Sequence, residues 1–255
     1  MAAEEVAVST SQIQQLEDYL AESLLSPEGA AQHLTGKVSK QELAPFIKEI
    51  SAVSASYVSH DVGSTLTSPI KSVRSAEAYA LYYATINAAK LIHLLPNIIL
   101  DKEEISVLDL GSGPGTAGLA LITAMKKAFH LTCIESSPYM RAVAERLLSR
   151  CKGVGTLKSL SILPALSSPS TAHFDVVIAA NVLAELDTAR GEDAMRTLAH
   201  RLAPAGYLVI IEPGQPLHTR RLMHLRNILL AENKEISPLF PCLRRDPCPM
   251  LVSSE

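Results

Sequence analysis

Apolar positions follow two regimes along this chain. Up to about residue 98 they recur at helical spacing, and from Ile105 onward they gather into short continuous runs that alternate with amphipathic stretches. The first regime predicts helices joined by loops. One covers about Ser11 to Leu25 and stops at the breaker cluster Ser26-Pro27-Glu28-Gly29. A second opens at Ser39-Lys40-Gln41-Glu42, which has capping-box spacing, with Pro45 able to move the start inward. A third runs from about Ser75 to Leu95, carries Tyr79, Tyr83, Ile86 and Ala89 on one face, and ends at Pro96. Ser54 to Ser72, rich in Ser, Thr, Gly and Pro, reads as a long loop.

The second regime predicts a parallel α/β sheet. Strands are expected at Ile105–Leu110, His130–Glu135, Leu157–Leu163, Phe174–Ala179 and Tyr207–Ile211. Between and after them, helices are expected at Thr116–Phe129, Ser137–Cys151, Glu192–Leu202 and Pro216–Leu230. The run FDVVIA has no polar alternation after its Asp, as a strand covered on both faces requires. Residues 1–98 are thus expected to form a helical N-terminal extension and residues 99–255 the sheet domain.

The stretch ISVLDLGSGPGTAG, Ile105 to Gly118, is where strand gives way to helix through glycines. Gly113, Gly115 and Gly118 satisfy the dinucleotide pattern G-x-G-x-x-G, whereas Gly111, Gly113 and Gly115 follow Asp109 in the D-x-G-x-G-x-G pattern of S-adenosylmethionine (SAM) enzymes. The acid decides. Asp109 at the strand's carboxyl end would oppose a pyrophosphate but suits the cationic amino group of a methionyl moiety. Glu135 ends the next strand, where a carboxylate can accept both ribose hydroxyls, and Ser136 follows it. The predicted SAM-binding set is Asp109, Gly111, Ser112, Gly113, Gly115, Glu135, Ser136 and, just past the fourth strand, Asn181.

Composition narrows the partners more than the fold. Of 255 residues 47% are hydrophobic and 19% charged, enough for a sizeable core, and the net charge of −3 gives no global attraction to nucleic acid. Any RNA contact must come from a local patch, and with no Trp and 4% aromatic residues few side chains can stack bases. The acidic opening MAAEEVAVSTS resembles neither a secretory signal nor an Arg-rich transit peptide, and no apolar run is long enough to span a membrane. A cytoplasmic, bacterial-type location is the expectation, with an organelle left open and the oligomeric state unspecified.

Methyl transfer from a sulfonium needs alignment more than activation, so a catalytic base is optional and none is assigned. Asn181 is followed by Val182-Leu183-Ala184 rather than the Pro-Pro-aromatic sequence of amino-directed nucleic-acid methyltransferases, which argues against an exocyclic amine as acceptor. Glu185 and Glu212 are candidate bases that can equally hold turns or caps. The helix from His218 to Arg226 can meet phosphate or present a solvated basic face. Cys242 and Cys248 form C-x5-C in a Pro- and Arg-rich tail. Two thiolates do not close a four-ligand site, so free thiols and a partial metal site both stay open.

Over roughly Ser75 to Met250 these features resemble the ribosomal small-subunit-associated methyltransferase-like proteins of mitochondria and bacteria. The carriers are AYALYYATINAAKLIHLLP, VLDLGSGPGTA, LAEL after the fourth strand, and the ending EPGQP, basic helix and PCLRRDPCPM. The resemblance implies a Rossmann-like class I SAM-dependent methyltransferase fold and association with small-subunit rRNA or ribosome assembly. It implies that Cys242 and Cys248 are two of four ligands to an iron-sulfur cluster, and that the family's sheet has closing strands beyond the five legible here. The expected function is therefore SAM-dependent methylation on or near small-subunit rRNA. Its rivals are a methyltransferase of a small molecule and a noncatalytic assembly factor.

Overall fold

The protein is described by a computed structural model covering residues 10–36, 38–58, 68–153, 155–166 and 172–251. The N-terminal part contains α1 (Thr10–Leu24), α2 (Pro27–Leu34), α3 (Lys40–Val58), α4 (Val73–Tyr79), a π-helical turn (Ala80–Ala84), α5 (Thr85–Leu94) and a 3-10 turn (Leu95–Asn97). The breaker cluster does end α1, but it also starts α2. Ser26 accepts the Gly29 N–H at 3.0 Å and Pro27 takes the first helical position, where its missing N–H costs nothing. The long loop expected from Ser54 begins later, because α3 continues to Val58. Residues 59–67 of that loop lie outside the described residues.

The sheet follows as β1 (Glu104–Leu110), α6 (Thr116–Ala124), β2 (Ala128–Ile134), α7 (Pro138–Ser149), β3 (Leu157–Leu163) and β4 (Phe174–Ala180). A 3-10 turn (Leu183–Glu185), α8 (Thr188–His200), β5 (Leu202–Ile211), α9 (Pro216–Glu232) and a last 3-10 turn (Pro249–Leu251) complete the order. Residues 128 and 129 belong to β2 rather than to the preceding helix. β5 starts five residues earlier than its apolar run suggests, crossing Ala205 in a left-handed conformation with a register shift against β4. No helix among the described residues is long and apolar enough to cross a membrane.

All four strand pairings are parallel, in the order β3-β2-β1-β4-β5. The chain winds outward from β1 to β3, then returns to place β4 on the other side of β1. The crevice outside the carboxyl ends of β1 and β4 is therefore the topological switch point, where open α/β sheets bind ligands. Side chains alternate between the two faces, as a period of two demands. Val107, Val176 and Ile178 point to one face and Leu108, Val177 and Ala179 to the other. On the first face they join Leu16 and Leu20 of α1, Ala84, and Ala88 and Leu91 of α5 in one continuous core. The buried Glu77 of α4 pairs with Arg146 in the last turn of α7 at 2.8 Å, tying the N-terminal helices to the sheet domain.

Candidate ligand-binding site

Three left-handed glycines carry the chain out of β1: Gly111 at φ +67°, Gly113 at +55° and Gly115 at +89°. Their surroundings differ. A Cβ on Gly111 would lie 2.5 Å from Val182 Cγ2, and one on Gly115 2.8 Å from Leu148 Cδ1, so both are held by close packing as well as by backbone conformation. A Cβ on Gly113 would meet nothing within 4 Å. The outer glycines let the turn seat itself on β4 and α7, while the middle one leaves bare backbone under open space.

Asp109 is buried, 1% exposed, and its Oδ2 has no hydrogen-bond partner among the described residues. Burial, reinforced by the charge of Glu135, pushes its carboxyl up to about 7. Ser112 is also buried. Its hydroxyl lies beside the Cys133 thiol without the geometry of a hydrogen bond. A buried carboxylate oxygen and a buried hydroxyl without partners are costly in a folded chain unless something else pairs with them. Glu135 straddles the turn, with Oε2 accepting the Gly113 N–H at 2.9 Å and Oε1 the Ser137 N–H at 2.7 Å. Arg141 donates to the carbonyls of Glu135 and of the exposed Ser136, both at 2.7 Å.

Across the switch point, Asn181 leaves β4 at φ +57°, a conformation Asn tolerates better than most residues, and its N–H donates to the Ile211 carbonyl at 2.7 Å. Asp109, Gly111, Ser112, Gly113 and Asn181 line one cavity of about 40 Å³. Gly115 sits beneath it at the N-cap of α6, Glu135 flanks it through Gly113, and Ser136 stays outside. Outside the predicted set, Tyr79, Asn87 and Leu91 of α4 and α5 form the helical side of the wall, and Pro114, Thr116, Ala117 and Ala180 complete it. The Tyr79 ring lies 4.9 Å from that of Tyr83 at a tilt of 42°, and the Tyr83 hydroxyl bonds that of Ser54 at 2.8 Å. The Tyr79 hydroxyl is pushed well above its usual range by burial, then by Glu185, Tyr83 and Glu135.

The two candidate bases separate. Glu212, just past β5, accepts N–H bonds from Leu183 at 2.9 Å and Ala184 at 3.2 Å, so it caps the 3-10 turn after β4. Burial pushes its carboxyl up to about 7, and those backbone donors and Arg221 oppose the shift. Glu185 lies near enough to Tyr79 to influence its hydroxyl. The basic helix α9 turns two of its cations inward. Arg221 donates to the Asp187 carbonyl at 2.6 Å, and Arg226 donates to the carbonyls of Arg244 and Asp246 in the tail. Cys242 is exposed and Cys248 half-buried, both as free thiols, and the Cys248 N–H donates to Asn227 Oδ1. Among the described residues no group of three or more His, Cys, Asp or Glu is placed to hold a metal.

A much larger cavity, about 1600 Å³, lies between β5, α9 and the tail. Of the residues singled out from the sequence it borders Glu212, Arg226 and Cys242, and it lies at the sheet's edge rather than its switch point. The smaller cavity, with its unpaired acid and bare glycine, has the chemistry of a binding site.

A doubly wound parallel sheet with a glycine turn after its first strand, an acid ending the second and a cavity at the β1/β4 switch is the Rossmann-like fold of class I SAM-dependent methyltransferases. The chain belongs to the family described as mitochondrial small ribosomal subunit Rsm22, which matches residues 72–255. No curated protein matches it. Among solved structures, the CcbJ methyltransferase of Streptomyces caelestis is 24% identical with a TM-score of 0.38, covering 50% of this chain and 52% of its own. The DhpI-SAM-HEP complex is 22% identical at 0.42, covering 58% and 64%. PKMT2 of Rickettsia typhi in complex with AdoHcy is 22% identical at 0.33, covering 42% and 20%. The chain thus spans less than two thirds of the length of each of these structures.

Proposed function

We propose that this chain binds SAM at the β1/β4 switch point and transfers its methyl group to an acceptor on or beside small-subunit rRNA. The observation that carries the reading is the buried, unpartnered Asp109 carboxylate oxygen beside the open space over Gly113. A cationic ammonium answers the first, and the second lets a nucleoside pass close to the backbone. In this reading Asp109 holds the ammonium, Glu135 accepts the ribose hydroxyls on the lone pairs that its two backbone N–H bonds leave free, Ser112 donates or accepts within the cavity, and Asn181 lines the side from which the acceptor approaches. When bound, SAM supplies a methyl group already activated on sulfonium, so these residues need only orient it and exclude water.

The RNA part of the proposal draws on the family, whose description names the small ribosomal subunit. The same description supports a mitochondrial location. The second reading is an assembly factor that binds SAM without methylating; Glu212, whose two oxygens accept backbone N–H bonds, is a turn-holding residue under either reading. The iron-sulfur cluster implied by the family resemblance needs two ligands beyond Cys242 and Cys248, and no part of the proposal depends on it.

Calorimetric titration with SAM and S-adenosylhomocysteine tests the binding, with Gly113→Arg filling the open space and Asp109→Ala removing the acid. Micromolar binding by the wild type that is lost in both variants supports the site, and no binding by a folded wild type overturns it. Transfer of labelled methyl from SAM to small-subunit rRNA then separates the enzyme from the assembly factor, and salt-sensitive rRNA binding separates both from a small-molecule enzyme.

A further inference from the structure

The cavity at the switch point is too small for a whole nucleoside. At about 40 Å³ it has room for a few water-sized groups, each needing roughly 10–15 Å³. What enters it must be a compact polar head, with the bulk of the ligand lying outside along Gly113. The sheet side of the cavity offers an acid, Asp109. The helical side offers something different.

Asn87 lines that side, and its Oδ1 accepts a hydrogen bond from Lys90 Nζ at 2.9 Å. An ammonium only donates, so the Asn87 atom facing Lys90 is the carbonyl oxygen, and the group left for the cavity is the amide NH2. Lys90 thereby does two things. It sets the amide's orientation and it places a cation behind it, which makes the NH2 a stronger donor to an anion. Lys90 itself is exposed and Asn87 half-buried, so the pair sits at the wall rather than in the core.

We infer that Asn87, its amide oriented by Lys90, is the helical-side binding residue for the carboxylate of the ligand's α-amino-acid end, across the cavity from Asp109. The inference rests on the SAM-binding reading above and assigns Asn87 as a binding residue and Lys90 as a positioning residue for the methionyl end. It also gives the N-terminal helices a direct part in ligand recognition.

The test compares SAM with decarboxylated SAM, which keeps the sulfonium, the nucleoside and the amine but lacks the carboxylate. Both are titrated into the wild-type chain and into Asn87→Asp, Lys90→Met and Lys90→Arg variants, each first checked for an unchanged thermal unfolding transition. Asn87→Asp keeps the side chain's size and replaces the donor with a carboxylate. It is expected to weaken SAM by at least about tenfold while leaving decarboxylated SAM within about twofold. Lys90→Met should weaken SAM alone by about threefold, and Lys90→Arg should restore it. Equal losses for both ligands would show a merely structural role and overturn the inference, as would unchanged SAM affinity in Asn87→Asp. A wild-type chain that binds neither ligand would overturn the SAM-binding reading itself, a result distinct from these.

Discussion

Two acids at the carboxyl edge of the same sheet share almost everything except their partners. Asp109 ends β1 and Glu212 follows β5, both are largely buried, and burial pushes both carboxyls up to about 7. Glu212 has each oxygen on a backbone N–H of the turn after β4. Asp109 has an oxygen with nothing to accept from, in a cavity. A perturbed carboxyl alone therefore does not mark a binding residue here. The hydrogen-bond inventory separates the two: among the described residues Glu212 has both oxygens paired and holds a turn, whereas Asp109 Oδ2 at the switch point has no partner, which supports its place in the proposed site.

The strongest way to break this comparison is to separate the two regions physically. Gly111, on the Asp109 side, packs on Val182, on the Glu212 side. Gly111→Ala adds a Cβ at 2.5 Å from Val182 Cγ2 and strains a left-handed residue, costing about 2–4 kcal/mol of stability in urea unfolding. Val182→Ala should recover part of that loss, because the clash is with its side chain. Next, Asp109→Asn should weaken SAM by about a hundredfold, near 2.7 kcal/mol, and leave the ligand-free chain as stable as before or more so, since it removes a buried charge.

Glu212→Gln should show the converse. An amide replaces one acceptor opposite the Leu183 and Ala184 N–H groups, so stability falls by about 1–2 kcal/mol while SAM affinity stays within about twofold. The smallest effect is on pH. Both acids have folded-state values above the ordinary carboxylate range, so they favour the ligand-free fold at low pH, and that contribution is lost as pH rises from about 4 through 7. Its melting temperature should fall across that window. SAM affinity should move the other way, rising about eightfold between pH 6 and 7.5 as Asp109 ionises, and Asp109→Asn should flatten the rise. A SAM affinity independent of pH would show that no proton leaves Asp109 on binding.

The β1 half of the site was legible because its signal is local. Strand, acid and glycines follow one another, and their spacing alone places Asp109 at a strand's carboxyl end above a turn. The helical wall was not legible, for a physical reason. A 3.6-residue period puts Tyr79, Tyr83, Ile86 and Ala89 on one face, but the π-helical turn at Ala80–Ala84 slips the phase by one residue. Downstream of it Asn87 and Leu91 face the cavity with Tyr79, and Ile86 is left 53% exposed. Asn87, a lone amide in a helix of apolar neighbours, was the available clue. The start of β5 lies outside its apolar run because Pro204 and Gly206 interrupt the pattern, and the strand accommodates them through a register shift. The different fates of Glu185 and Glu212 depend on how the turns after β4 and β5 meet, which no local pattern encodes.

The core shared by the N-terminal helices and the sheet bears on how the chain can be divided. Leu16, Leu20, Ala84 and Leu91 are buried against the same cluster as Val107, Phe129 and Ile178, so a cut between Asn97 and Glu104 would free no self-sufficient half. Each piece would carry a complementary apolar face and, in the first, Tyr79 and Asn87, or in the second, Asp109. The molecule has the makings of a split protein: two fragments that are silent apart and recover a binding cavity only on reassembly.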